Sequence, residues 1–143
     1  MGDYHLLMQF DIETSPDQVR RWLETPEGIA GWWSDGVSGT ARAVGDTFEV
    51  RFPTTPVAFE LAVTAASEER IEWAIAENPP WWKGTTIRFD IGREGEATRL
   101  LFSHRDFEPD NPVIPVITPA WAQFLANLKE VAESGVAHPA VVN

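Results

Sequence analysis

From Thr118 to Ser134 the apolar residues Trp121, Phe124, Leu125, Leu128, Val131 and Ala132 recur at i, i+3, i+4, i+7, i+10 and i+11. That spacing draws one apolar stripe along an α-helix. Thr118 is placed to cap it, Pro119 to occupy its first position and Gly135 to stop it. Most of the remaining chain alternates instead. Leu6, Met8, Phe10 and Ile12 form a first period-two run. Phe48, Val50 and Phe52 form a second, and Val57, Phe59, Leu61 and Val63 a third. Ile71, Trp73 and Ile75 give a fourth, Ile87, Phe89 and Ile91 a fifth, and Leu100, Phe102 and His104 a sixth. Each predicts a strand with one buried face, and the short turns between the later ones predict antiparallel pairing. After the first strand, Ser15-Pro16 opens a short helix carrying Val19, Trp22 and Leu23. Pro26 ends it, and a second helical turn carries Ile29, Trp32 and Trp33. The expectation is an α+β fold of one domain over residues 1–143, about six strands facing one long C-terminal helix. Residues 107–117, FEPDNPVIPVI, are too rich in Pro for either element and too apolar for a solvated loop, which suits a lid or binding loop.

The composition narrows the partners. A net charge of −11, with 11 basic and 22 acidic residues, argues against binding nucleic acid or an anionic membrane surface. With no Cys there is no disulfide, thiolate metal site or Cys nucleophile. His5, His104 and His138 lack metal-ligand spacing, so neither a metal nor another cofactor is expected. The N-terminal MGDYHLLMQF is not a signal sequence, Leu6 replaces the Ser or Thr of a myristoylation motif, and no apolar run is long enough to span a membrane. A cytoplasmic protein is expected.

The seven Trp change the picture most. If the faces are assigned correctly, Trp33, Trp73, Phe89, Phe102, Trp121 and Phe124 converge between sheet and helix. They would form either an aromatic-lined pocket or a filled aromatic core. His104 belongs to the same face, as a ligand contact or as a hydrogen-bonded core residue. Adjacent Trp81 and Trp82 point to opposite sides of an extended chain, which places one at a rim. Phe107 and Ile114 would belong to the gate formed by residues 107–117. No nucleophile elbow and no glycine-rich phosphate loop occurs, and no catalytic residue is assigned.

Several of these segments resemble a known family. Val19 to Leu23 followed by Ile29, Trp32 and Trp33 is similar to the opening helix and Trp pair of the activator-of-heat-shock-protein-90-ATPase-like branch of the SRPBCC (START-like) superfamily. Thr98, Leu100, Phe102, His104 and Phe107 match that branch's T-x-L-x-L-x-H-x-x-F strand. Trp121, Leu125, Leu128 and Lys129, with the segment from Gly135 to Pro139, match its closing helix, although Ala120 replaces a common Gly. The resemblance implies a helix-grip fold, a curved sheet wrapped around the helix with a cavity between them for an apolar small molecule. It also implies two other roles: a module that binds a chaperone or other protein, and a cyclase- or hydratase-like enzyme using His104. The first is the leading expectation, for a monomer or a homodimer.

Overall fold

The computed structural model describes residues 2–143. Seven strands form one antiparallel sheet in the order β1-β7-β6-β5-β4-β3-β2. They are β1 Tyr4–Ile12, β2 Gly36–Gly39, β3 Thr47–Arg51, β4 Phe59–Ala66, β5 Arg70–Ala74, β6 Thr86–Glu94 and β7 Ala97–Phe107. From β3 to β7 the sheet is a meander, and β1 closes the far edge by pairing with β7. The sheet is curved, a long helix, α3 (Ile114–Ser134), lies against it, and two short helices follow β1. Register shifts interrupt β1 near Tyr4 and β4 near Val63, and such bulges bend a strand.

The strand count is one more than the alternation predicts. The extra strand, β2, reads Gly-Val-Ser-Gly and has no side-chain pattern to betray it. It is defined by its register with β3, where Val37 faces Val50 and Gly39 faces Phe48. Gly39 has φ +112°, and a Cβ there would meet the Thr47 carbonyl oxygen at 2.5 Å. Glycine is what allows β2 to lie this close to β3.

The helical boundaries also differ from expectation. Helix α1, Pro16–Arg20, starts as predicted, with the Ser15 hydroxyl accepting from the Gln18 amide at 3.3 Å. Pro26 starts α2, Pro26–Ala30, where it was expected only to end α1. Thr25 caps it by accepting from the Gly28 amide at 2.9 Å. Helix α3 spans Ile114–Ser134 and so begins four residues before Thr118. Thr118 is therefore no cap. Its hydroxyl donates to the Ile114 carbonyl at 2.6 Å, and Pro119 lies inside the helix. The supposed loop 107–117 shrinks to residues 108–113, because β7 runs through Phe107. At the other end Gly135 adopts φ +74°, the left-handed stop expected of it.

The inward faces of the sheet and α3 make one core. Trp121, Leu125, Leu128, Val131 and Ala132 are buried and Phe124 is half-buried, while Gln123 and Glu130 face solvent. Asn127, half-buried beside the stripe, ties down the C-terminal tail. Its amide donates to the Trp32 carbonyl at 2.8 Å and to the His138 carbonyl at 2.7 Å. Beyond α3 the backbone runs beside residues 31–35, with amides of His138, Ala140 and Val141 donating to carbonyls of Gly31, Trp32 and Trp33. Ser34 and Val141 form a parallel bridge. Val136 and Val142 remain exposed, so hydrogen bonds rather than apolar burial hold this strap. Asn127→Ala is expected to free it at a cost of about 1–3 kcal/mol, two bonds lost at a partly buried site. Accelerated amide exchange at His138 and Val141, with the sheet amides unchanged, would register the effect. Unchanged exchange at both would exclude this role for Asn127.

Candidate functional site

The space between sheet and α3 is walled by aromatic rings from six parts of the chain. Trp33 follows α2 and is its hub. Its ring centroid lies 5.2 Å from Trp121 on α3, 5.7 Å from Trp32, 5.8 Å from Phe52 and 6.4 Å from Trp73 on β5. Phe89 on β6 lies 5.0 Å from Trp73 and 5.5 Å from Phe102 on β7, which lies 4.7 Å from Trp121. Phe124 reaches both Trp33 and Trp121 at about 6 Å. Alternation put one ring per strand on the inner face, and the helical stripe supplied Trp121 and Phe124 from the other side. Offset and edge-on contacts of this kind each contribute about 0.5–1.5 kcal/mol beyond burial.

In this structure the rings meet one another. Clefts lie at the surface, one of about 480 Å³ against Thr47, Glu60, Ala62 and Ala74 and one of about 530 Å³ beside Trp81 and Asn111. Neither is lined by Trp33, Trp73, Phe89, Phe102, His104, Trp121 or Phe124. Ala122, next to Trp121 on α3, faces solvent.

His104 is the polar node of the chamber. It is fully buried, and both ring nitrogens are engaged. Thr85 donates its hydroxyl hydrogen to the Trp82 carbonyl at 2.6 Å. That leaves its oxygen to accept from His104 Nε2 at 2.9 Å. Nδ1 then accepts from the Trp121 indole N–H at 3.1 Å. The donor sequence fixes the neutral tautomer protonated at Nε2. Burial agrees with it, pushing the imidazole pKa down to about 3. The relay joins α3 and β7 to the turn before β6. With both nitrogens occupied, His104 has no free lone pair to take a substrate proton.

The tryptophan pair divides between surface and interior. Residues Pro80–Trp82 form a 3-10 turn, not an extended run. Trp81 is 45% exposed, whereas Trp82 is buried against Trp121 at 5.9 Å and edge-on to His104 at 4.7 Å. Phe107 and Ile114, placed by the sequence at a gate, are buried too, with Phe107 4.5 Å from His104. Thr85, Trp32, Phe52 and Phe59 were not singled out. Phe52 and Phe59 carried a signal in their alternation, but a lone Thr before a strand carried none.

The indole nitrogens are unevenly served. Trp32 donates to the Trp22 carbonyl at 2.8 Å and Trp121 to His104. Nε1 of Trp22, Trp33, Trp73 and Trp82 is buried with no protein acceptor in reach. An unpaired buried donor costs about 1–3 kcal/mol. Among the described residues no group of three or more His, Asp or Glu side chains is placed to hold a metal ion, and no helix is long and apolar enough to cross a membrane.

A curved antiparallel sheet gripping a C-terminal helix over an aromatic interior is the helix-grip architecture of the SRPBCC superfamily. Within it, residues 10–133 match the model of the family described as activator of Hsp90 ATPase homolog 1-like protein, and the chain belongs to that family. The Aha1 dimer from Colwellia psychrerythraea is similar at 28% identity, with a TM-score of 0.82 over 92% of this chain and 98% of that one. A Mesorhizobium loti protein matches at 19% identity and TM-score 0.77, covering 92% and 98% of the two chains. One from Staphylococcus saprophyticus matches at 17% and 0.77, covering 97% and 98%. The last two likenesses are of fold alone. No protein with a curated description matches the chain.

Proposed function

We propose that the protein binds a small, largely aromatic molecule between its sheet and α3. The observation that carries this reading is the convergence of Trp33, Trp73, Phe89, Phe102, Trp121 and Phe124 on one interior. Aromatic walls with a few polar groups are how small-molecule sites are usually built. Because the rings meet in the present structure, binding requires part of the wall to move. Phe124, already half-buried, and residues 108–113 are the parts that open with least loss of burial. Native mass spectrometry of the freshly purified protein should show a co-purifying small molecule, and an added apolar fluorophore should quench Trp emission. Leu125→Trp, which thrusts a larger ring inward at about 1–3 kcal/mol of overpacking, should abolish that quenching while the chain stays folded. Absence of both adduct and quenching in the parent protein would refute the reading.

A second reading, binding of a chaperone or another protein, is favoured by Trp81. It stands 45% exposed beside the cleft lined by Pro80, Lys83, Asp106 and Asn111, and exposed Trp is a frequent anchor at interfaces. The Colwellia relative is described as an Aha1 dimer, so a second copy of the chain is one partner to test. Sedimentation equilibrium on the parent and on Trp81→Ala separates the cases. A dimer that Trp81→Ala dissociates supports this reading, and a monomer at all concentrations removes self-association from it.

A further inference from the structure

Three of the four unpaired buried indoles belong to the chamber. Trp33 and Trp73 stack nearly parallel, 6° apart with centroids 6.4 Å from each other. Trp82 reaches the same cluster through Trp121, at 5.9 Å. The fourth, Trp22, lies outside it, under the Arg21 guanidinium at 5.8 Å. Phe would fill such positions without burying a donor, and buried donors in native cores are almost always paired. Three unpaired donors gathered in one chamber therefore call for an acceptor that the chain does not supply.

Resting on the ligand-binding reading above, we infer that the ligand is a neutral, planar aromatic bearing carbonyl-type oxygen acceptors, which take the indole N–H groups of Trp33, Trp73 and Trp82. Neutrality follows from the walls. The buried polar residues are Ser34, Thr85, Thr98, Ser103 and His104, with His104 held neutral by its partners. No buried Lys or Arg is available among the described residues to offset a carboxylate or phosphate, and an unpaired charge is strongly disfavoured in such surroundings. A pure hydrocarbon, in turn, would leave all three donors unpaired. Apolar flat surface with neutral acceptors is the chemistry that satisfies both conditions.

A matched pair of probes tests this: 2-acetylnaphthalene against 2-isopropylnaphthalene, which have similar shape and differ in the ketone oxygen. Titrated into the full chain and followed by Trp quenching, the ketone should bind roughly fivefold to tenfold more tightly, the worth of one hydrogen bond, although it is the less hydrophobic of the two. At least one of Trp33→Phe, Trp73→Phe and Trp82→Phe should erase that preference, so that ketone and hydrocarbon bind that variant equally tightly. On the unaltered protein, the ketone alone should move an indole N–H proton resonance of Trp33, Trp73 or Trp82 downfield. This keeps the test decisive should a Phe variant fail to fold. Equal affinity, or tighter hydrocarbon binding, with no indole proton moved would overturn the inference and leave the ligand-binding reading standing. If neither probe binds, both fall.

Discussion

Trp121→Ala is expected to destabilise the protein by at least about 3–5 kcal/mol, the usual range for emptying a buried Trp site. Trp121 is 1% exposed and its ring lies within about 6 Å of Trp33, Trp82, Phe102, His104 and Phe124. Removing it deletes the helix ring that bridges Trp33, Trp82 and Phe102. It also strands His104 Nδ1, which accepts its N–H. Trp121→Phe separates the two contributions. It keeps an aromatic ring against the same neighbours and loses mainly the hydrogen bond, so a cost of roughly 1–3 kcal/mol is expected. Urea unfolding of both variants gives the comparison. If Trp121→Phe proved as damaging as Trp121→Ala, the hydrogen bond rather than ring packing would be what holds α3 to the sheet. A loss below about 1 kcal/mol for Trp121→Ala would mean that α3 does not close the core in solution.

What the sequence showed and what it hid follow from how each feature is encoded. The stripe on α3 was legible because Trp121, Leu125 and Leu128 repeat with helical period over several turns. Its first turn was not, since Pro115 read as a breaker and Pro119 as the first helical position. Yet Pro115 falls in the first turn, where no amide is needed, and Pro119 removes one bond from a helix packed by Ile114 and Ile117. Strand β2 was hidden because a four-residue strand with glycine at both ends has backbone pairing and no alternation to read. The strap after Gly135 was hidden for the same reason, being held through amides and Asn127. Of the chamber, the rings were legible one strand at a time. The His104 relay was not, because Thr85 and Trp121 lie 19 and 17 residues from it in sequence. Hydrogen-bond partners brought together by a meander and a returning helix leave no spacing to read.

The relay also sets how stability should depend on pH. His104 is buried among the rings of Trp82, Phe107 and Trp121 and the hydroxyl of Thr85, none of them charged. Burial alone therefore depresses its pKa, from the ordinary 6.5 to about 3. Between those values the unfolded chain binds a proton that the folded chain refuses. The stabilisation is thus fully present above about pH 6.5. It drains away as pH falls, and is exhausted near pH 3, where the folded ring also titrates. The slope in that window is more than about 1 kcal/mol per pH unit. Asp35 and Asp46, whose carboxyls are held below the usual range by amide hydrogen bonds, add a loss of the same sign only near and below their ordinary value of 3.8. At Glu133 some desolvation is outweighed by the Glu13 amide and Lys129, which hold the carboxyl below its ordinary value of 4.5. It adds a loss of the same sign below about pH 5.5. The interval from pH 6.5 to about 5.5 therefore isolates the histidine, and over it the unfolding free energy of the parent should fall by roughly 1 kcal/mol. His104→Gln should start lower at pH 7 and show a much flatter dependence there, since its side chain does not titrate. A parent curve as flat as that of the variant would mean that the ring is hydrated and charged in the folded protein, and that the donor order from Trp121 to Thr85 is wrong.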